Sequence, residues 1–395
     1  MKIKFNKIED FLLIAYCFLV CLNQYFQFFG IPIFIYSLIL LSFALMIEIK
    51  KNGMHISKVS LFFLFWILYG IILVIIHNNY FSKRYFLLLL INILGFFNVS
   101  YMCDKEPYRI KKCLKSFMIG LMANVIVAFW EIKTGRHIVP VTDDYARRFF
   151  HIPLGFFANT NDLSTVLIVM MVLVSIYYFV SKESKRHLFI VGATLLSAGY
   201  IVIRTHSIIG IMSMIAIPII VFLYRSLKNE KRFLITLLII GVAIVTLLIL
   251  SILIDINLSE ISIGELFEER IIYAKKALQD FNDSLWLGIG PGQNNVQGYG
   301  AVHNYLIEVL TEYGIIIFII LLYYYTKIIK KQFLLENTEI NALIFALLII
   351  LIPLSISTSS LTKLFPIWSS FGVVVSYTNY KLKIKKENQN DFNCS

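Results

Sequence analysis

The chain has 395 residues, of which 58% are hydrophobic and only 15% are charged, and its formal net charge at pH 7 is +12. An ordinary soluble domain carries about a quarter charged residues, so the composition excludes one. Apolar blocks of about 17 to 23 residues recur along the chain, and this length crosses a hydrocarbon layer about 30 Å thick. We therefore predict an all-α integral membrane protein that crosses the membrane many times.

The apolar blocks predict twelve transmembrane helices. Lys2, Lys4 and Lys7 precede the first block, and no small-residue cleavage site follows it, which is typical of a retained signal anchor. Residues 1–395 are interpreted as one polytopic membrane domain, ending in a short, polar, disordered cytoplasmic tail at 381–395. The predicted spans are approximately 11–29, 31–49, 59–76, 85–102, 114–130, 161–181, 187–203, 207–224, 233–254, 303–325, 341–360 and 364–380.

The loops between these spans carry their positive charge asymmetrically. If the N-terminus is cytoplasmic and the spans alternate, the inner segments hold 25 of the 36 Lys and Arg residues and the outer segments hold 11. This positive-inside pattern predicts a multi-pass protein of the cytoplasmic membrane with both termini in the cytoplasm. It also explains the basic net charge by topology, without a nucleic-acid partner.

Groups that suit anion or metal binding occur on the predicted outer side, beginning with the first of two long outer loops, 131–160. Arginine on the outer side works against the positive-inside tendency, and a guanidinium group binds phosphate through two parallel hydrogen bonds. The alternative is ordinary solvated or headgroup-facing arginine. Asp143 and Asp144 are an adjacent acidic pair that either binds a metal or is merely solvated. The outer arginines considered as phosphate ligands are Arg147, Arg148, Arg204 and Arg270.

The second long outer loop, 255–302, contains an amphipathic helix and then a glycine-rich turn. Arg270 lies on the charged face of this helix, which is expected at the membrane–water boundary or capping the bundle. The segment "LGIGPG" that follows does not have the spacing of a dinucleotide site, but its backbone amides suit a turn that approaches an anion. The apolar face of the predicted helix comprises Phe267, Ile271, Ala274, Leu278 and Phe281.

Polar residues open the tenth predicted span. Asn304, Glu308 and Thr311 share one stripe of the helix, and His303 and Glu312 lie at its edges. Such a stripe must face protein or a water-filled cavity, because polar groups in hydrocarbon are costly. One interpretation is structural, with the carboxylates paired to neighbouring helices and an interfacial histidine. The other is a functional site.

The five cysteines lie in the first span, in one inner loop and in the tail, at Cys17, Cys21, Cys103, Cys113 and Cys394. They form no CxxC or Cys/His metal spacing, so neither a disulfide framework nor a zinc site is expected. We predict no metal and no cofactor.

Three segments in this order resemble the O-antigen ligase and polymerase superfamily: "RRFFHIPLGFFANTN", "ERIIYAKKALQDFNDSLWLGIGPGQNN" and "HNYLIEVLTEYG". The resemblance is firmest over about 145–315. One departure is the turn "RTHSIIG", where the family often has a serine-arginine pair but Ser207 is followed by Ile208. The residues that match the family's motifs are Arg147 or Arg148 with Gly155, Phe157, Asn159 and Asn161, then Arg270 with Gly288 and Gly290, then His303, Asn304, Glu312 and Gly314.

The resemblance implies an enzyme that transfers a glycan from an undecaprenyl-diphosphate-linked oligosaccharide on the outer face of the membrane. His303 is the candidate for activating the acceptor hydroxyl, and Arg147, Arg148, Arg204 and Arg270 are candidates for holding the diphosphate. Asn304, Glu308 and Glu312 are expected to brace the helix or bind sugar hydroxyls.

Three activities are weighed. A polymerase joining repeat units into O-antigen or capsule, working beside a flippase and a chain-length regulator, is favoured. An O-antigen ligase that transfers the polymer to a lipid-A core is the alternative. A lipid-linked oligosaccharide flippase fits less well, since the arginines lie in outer loops and the chain shows no two-halved symmetry.

Overall fold

A computed structural model describes residues 2–23, 26–52, 58–141, 151–181, 185–227, 263–296, 304–358 and 360–393. In these ranges, long helices occur at eleven of the twelve predicted spans. Nine of them are long and apolar enough to cross a membrane. The all-α membrane fold is therefore confirmed, while the predicted span at 233–254 lies outside the described residues.

The helices are numbered here in chain order. The first seven are α1 (Lys2–Leu19), α2 (Ile33–Asn52), α3 (Lys58–His77), α4 (Tyr80–Lys105), α5 (Tyr108–Thr134), α6 (Thr160–Ser181) and α7 (Lys185–Arg204). The others are α8 (Ile208–Leu227), α9 (Ile263–Asp283), the short α10 (Gln293–Val296), α11 (Tyr305–Phe333), α12 (Glu339–Ser357) and α13 (Phe365–Asn393).

The first predicted span has the wrong bounds. Helix α1 begins at Lys2 and is followed by a single 3-10 turn, Val20–Leu22, where Asn23 adopts a φ of 55°. Beyond it, strands β1 (Gln27–Phe28) and β2 (Ile31–Pro32) pair as a small antiparallel hairpin. The hydropathy pattern merges the helix, the turn and the hairpin into one predicted span, because the hairpin is as apolar as the helix.

Helix α6 is the centre of the bundle. Most of its side chains are buried, and it lies against α5, α7, α8, α12 and α13. Helix α13 packs along α4, and α12 packs along α8. A helix that is apolar on every side and covered by protein positions its polar N-terminal end, Thr160 to Asp162, inside the bundle instead of in lipid.

The contacts between helix ends agree with the predicted alternation. At the ends assigned to the inner side, the Tyr224 hydroxyl donates to the Gln332 carbonyl (2.7 Å), and buried Arg109 pairs with Glu9 and Asp10 (2.7 Å each). Contacts of the ends assigned to the outer side are described below.

The predicted disordered tail is wrong over most of its length. Helix α13 continues through Tyr380 to Asn393, and the Lys385 ammonium donates to the Leu334 carbonyl at 2.7 Å. Lys383 and Glu387 lie one helical turn apart, with their charged atoms 4.0 Å from each other, and such a pair supports a solvated helix end.

Candidate functional site at the outer end of the bundle

Helix α11 is broken at Gly314. This glycine has φ 82° and ψ 171°, far from helical values, so α11 consists of an N-terminal half and a C-terminal half. The N-terminal half carries the polar stripe of the sequence. A break frees backbone groups that must find partners at membrane depth.

The glycine-rich segment of the second outer loop supplies those partners. The N–H groups of Ile289 and Gly290 donate to the carbonyls of Thr311 (2.8 Å) and Glu312 (3.0 Å). In return, the N–H of Ile315 donates to the Trp286 carbonyl at 3.1 Å. The loop thereby replaces the helical hydrogen bonds that the break removes.

Two glycines permit this close crossing of backbones. A Cβ on Gly288 would lie 2.7 Å from the Glu312 carbonyl oxygen and from the Gly314 nitrogen. A Cβ on Gly314 would collide with the Leu287 carbonyl. Both residues also have positive φ, which disfavours any other residue type. Gly288 of "LGIGPG" and Gly314 of "EYG" therefore serve one crossing.

Glu312 fastens the same loop by its side chain. Its Oε1 accepts a hydrogen bond from Asn294 Nδ2 (3.2 Å), and the backbone N–H groups of Gly292 and Asn294 also face the carboxylate. Asn294 donates to the Thr311 hydroxyl as well (3.1 Å), and Gln293 donates to Ser82 of α4 (2.5 Å). The fully buried Glu312 is thus a brace between helix and loop.

Glu308, one turn earlier, faces a different element. Its Oε1 accepts from the Ser360 hydroxyl (2.7 Å) and from Thr362 (3.5 Å), both in the short outer loop between α12 and α13. The Asn92 amide of α4 donates to the Thr362 carbonyl at 2.7 Å, which fixes the loop from its other side. Sequence reasoning missed this last outer loop.

Lys363 ends that loop and brings a cation to the carboxylates. Its Nζ lies 5.2 Å from the centre of the Tyr85 ring. Burial by itself lowers the pKa of Lys363, but Tyr85, Glu308 and Asp162 outweigh burial and raise that pKa above the ordinary value. The ammonium is therefore held in the charged form. The sequence did contain a signal for Lys363, because a lysine on the predicted outer side goes against the positive-inside tendency.

Asn304 caps the N-terminus of α11. Its side-chain oxygen accepts hydrogen bonds from the N–H groups of Leu306 (3.1 Å) and Ile307 (3.3 Å). The cap fixes the residue at which the helix begins. His303, which precedes Asn304, lies outside the described residues, so its role stays a prediction.

Arg204 lies at the outer end of α7, beside the start of α6. The Ser207 hydroxyl donates to the Asn161 side chain (2.8 Å) and joins the two elements. The Nε of Arg204 is buried and has no hydrogen-bond partner among the described residues. Burial, and then the charge of Arg204, lowers the pKa of His206 in the same turn. Arg204 thus presents one buried donor, its Nε–H, that no protein group among the described residues satisfies.

The first outer loop is fastened by a residue that sequence reasoning missed. The Oε2 of Glu131, at the end of α5, accepts from the N–H groups of Leu154 and Gly155, each at 2.7 Å. Its Oε1 lies 3.3 Å from His137 Nδ1. Gly155 has φ 58°, which explains the glycine of the "HIPLGFF" segment. Arg147 and Arg148, like Asp143 and Asp144, lie outside the described residues.

The predicted amphipathic helix exists as α9 and packs against α11. Its buried side chains include Ala277 and Phe281, whereas Leu278 is 36% exposed, so the covered face is turned slightly from the predicted one. Arg270 lies on this helix, but its side chain is not among those described.

The structure therefore brings Asn304, Glu308 and Glu312 together with Lys363 at one outer cluster, which is covered by the "LGIGPGQNN" loop. The turn that contains Arg204 contacts the start of α6 instead, through the hydrogen bond of Ser207 to Asn161. Among the described residues, no group of three or more His, Cys, Asp and Glu side chains is arranged to hold a metal ion.

Two comparisons with known proteins bear on this site. A family model described as O-antigen ligase matches residues 192–322, a stretch that includes Arg204, Arg270, the glycine-rich loop and the break at Gly314. The chain is also 25% identical over 370 aligned positions to the teichuronic acid biosynthesis protein TuaE of Bacillus subtilis (strain 168). That alignment covers 84% of this chain and 73% of the relative.

Proposed function

Because this chain is similar to the O-antigen ligase family model over residues 192–322, we propose that it belongs to the O-antigen ligase and polymerase superfamily and joins undecaprenyl-diphosphate-linked oligosaccharide repeat units into a surface polysaccharide. In general terms it is a multi-pass membrane enzyme of surface-polysaccharide assembly. The proposed polymer is an O-antigen or a capsule, made on the outer face of the cytoplasmic membrane with a flippase and a chain-length regulator as partners.

The proposed reaction needs no nucleotide, since the donor is already activated by its lipid diphosphate. The bond between the anomeric carbon and the phosphate oxygen breaks, and the lipid diphosphate leaves. A hydroxyl oxygen of the acceptor sugar bonds to that carbon, and its proton goes to a base on the enzyme. The enzyme must therefore hold a diphosphate, align the acceptor and accept one proton.

We assign the diphosphate to arginines and the proton to His303. Arg204 supports this assignment because its buried Nε has no partner among the described residues. Arg147, Arg148 and Arg270 carry the same chemistry in the two long outer loops. His303 directly precedes the capped N-terminus of α11, and a helix N-terminus disfavours a cationic imidazole. A neutral imidazole is the form that accepts a proton.

One observation carries this proposal: the "LGIGPGQNN" loop docks on α11 at its break, Gly314. It ties the segment that contains Arg270 to the helix that His303 precedes. Glycosyl transfer from a lipid diphosphate requires a cation that binds the diphosphate and a base that accepts the proton. The docked loop supports the proposal that these two groups belong to neighbouring segments that hold each other in place.

An O-antigen ligase is the second candidate, favoured by the description of the matching family model. It would use the same donor and the same residues but pass the finished polymer to a lipid-A core. The relative's name, which refers to teichuronic acid, supports polymer synthesis instead. A flippase is the weakest candidate, since cations are expected deep in the central spans of such a transporter.

Variants of His303 and Arg270 test the assignment. With His303→Ala, we expect the polymerisation rate to fall about 10²- to 10⁴-fold while donor binding persists, because only proton transfer is lost. With Arg270→Ala, we expect donor binding to weaken, and Arg270→Lys should restore it only in part, because an ammonium lacks the two-pronged fork. Product length on gels and binding of undecaprenyl diphosphate are measured at matched membrane levels.

Full-length polymer from His303→Ala at the wild-type rate would refute the catalytic role. Unchanged donor binding by Arg270→Ala would remove that arginine from the diphosphate site.

A further inference from the structure

The N-terminal half of α11 presents two carboxylates with different surroundings. Glu312 is held by amide N–H groups of the glycine-rich loop, so its partners are backbone and Asn294. Glu308 has only hydroxyl donors, Ser360 and Thr362, and both bond to Oε1. Its Oε2 makes no hydrogen bond to any residue in the described ranges. The first carboxylate is a structural brace, and the second keeps an acceptor oxygen for a ligand.

An unpartnered hydroxyl lies on the same face of the helix. Tyr305 is three residues before Glu308, is only 5% exposed, and lies within electrostatic range of both Glu308 and Glu312. Its hydroxyl has no hydrogen-bond partner among the residues that the structure describes. A buried hydroxyl without a partner is costly, so this group is suited to a ligand that brings one.

The charges around Glu308 select the chemistry of that ligand. Glu308 and Asp162 interact electrostatically with the ammonium of Lys363, and Glu312 interacts in the same way with Glu308. A diphosphate needs cations in excess of the carboxyl groups around it, whereas the hydroxyl groups of a sugar can donate to Glu308 and accept from Lys363. The cluster therefore suits a saccharide and not the anionic part of the donor.

We propose that Glu308, Lys363 and Tyr305 bind the hydroxyl groups of an uncharged sugar residue of the acceptor glycan. This inference rests on the proposed function and adds its acceptor side. Ser360 and Thr362 orient the Glu308 carboxylate, and the Tyr85 ring holds Lys363 over the site. On this assignment the arginines bind the diphosphate of the donor, and Glu308, Lys363 and Tyr305 bind the uncharged acceptor sugar. The two substrates are thus bound by groups of different charge.

The test uses the purified full-length protein with lipid-linked repeat units extracted from cells that lack it. The glycan released from those lipids by mild acid serves as a competing inhibitor, and undecaprenyl diphosphate without sugar serves as the donor probe. For Glu308→Gln and Lys363→Met, we expect the inhibition constant of the free glycan to rise about 10- to 100-fold, the range expected for a lost hydrogen bond to a charged group. Binding of undecaprenyl diphosphate should stay within about twofold, since no donor contact is removed.

Two further variants separate binding from folding. Tyr305→Phe removes a hydroxyl that has no partner in the described structure, so we expect unchanged thermal stability but weaker inhibition by the glycan. Lys327→Met is the matched control, because Lys327 also lies over a tyrosine ring, Tyr323, at 5.5 Å, but near the opposite end of α11. It should leave both probes unaffected.

Three outcomes would overturn the inference. One is wild-type inhibition by the glycan in Glu308→Gln, Lys363→Met and Tyr305→Phe. Another is recovery of wild-type inhibition in the double variant Glu308→Gln/Lys363→Met, since Lys363 would then only neutralise Glu308. The third is loss of undecaprenyl diphosphate binding in these variants. If the wild-type protein itself neither binds that lipid nor extends the repeat, the proposed function fails first, and the inference fails with it.

Discussion

At the scale of single residues, buried carboxylates hold the outer loops in place. Glu131 is fully buried and accepts two backbone N–H groups of the first outer loop, and Glu312 does the same for the second. Backbone groups without a partner are costly when buried, so each carboxylate replaces the water that would otherwise solvate its loop. Sequence periodicity shows that a glutamate is at a helix end, but not from which distant backbone N–H groups it accepts hydrogen bonds.

Replacing Glu131 tests this anchoring. Glu131→Ala leaves the N–H groups of Leu154 and Gly155 unpaired, at a cost of about 1–3 kcal/mol each. We expect a clear drop in the thermal unfolding temperature in detergent and a loss of polymer. Glu131→Gln keeps one acceptor oxygen, so its unfolding temperature should lie between those of the wild type and Glu131→Ala.

The control is Glu387→Ala, since the Glu387 side chain is 60% exposed near the end of α13. If Glu131→Ala and Glu387→Ala unfold at the same temperature, Glu131 does not anchor the loop.

At the scale of helices, the sequence predicts what depends on length and apolarity. Spans such as 161–181 were predicted within a residue or two of α6, because a fully buried apolar helix has the composition of a membrane span. The break at Gly314 was not predictable in this way. Hydropathy is continuous across it, and its hydrogen bonds come from a loop that begins nearly thirty residues earlier. Likewise, nothing local shows that Lys363 faces Glu308, since the two lie on different elements.

Alanine at the crossing glycines tests the broken helix. Gly314→Ala and Gly288→Ala each place a Cβ against backbone atoms and require positive φ, so both should separate the loop from α11. We expect lower thermal stability and strongly reduced polymer synthesis from each variant.

Gly192→Ala is the matched control, because a Cβ there meets nothing within 4 Å and alanine favours a helix. It should be neutral or slightly stabilising. Wild-type activity from Gly314→Ala would show that the crossing is not required.

At the scale of the whole molecule, the helix ends sort into two groups. Ser360 meets Glu308 and Gln293 meets Ser82 at one end, while Tyr224 meets Gln332 at the other. The positive-inside bias assigns the first group to the outer face. On that prediction, the candidate site is on the outer face, where the proposed reaction takes place.

Chemical labelling checks this orientation. In a cysteine-free background, a cysteine at Gln297 should react with a membrane-impermeant maleimide in intact cells, and a cysteine at Asn229 should not. The physical reason is the excess of Lys and Arg in the segments assigned to the cytoplasm. Labelling at Asn229 but not at Gln297 would invert the topology and move the site to the cytoplasmic face.

Formation of glycosidic bonds between lipid-linked repeat units is the central claim, and reconstitution tests it most directly. Purified protein in liposomes is given repeat units extracted from cells that lack it, together with a lipid-A core acceptor, and the products are separated on a gel. We predict a ladder spaced by one repeat unit that mild acid still releases, because each product remains on its lipid diphosphate. Repeat units that stay single in the presence of folded protein, or that pass to the lipid-A core without growing, would contradict it.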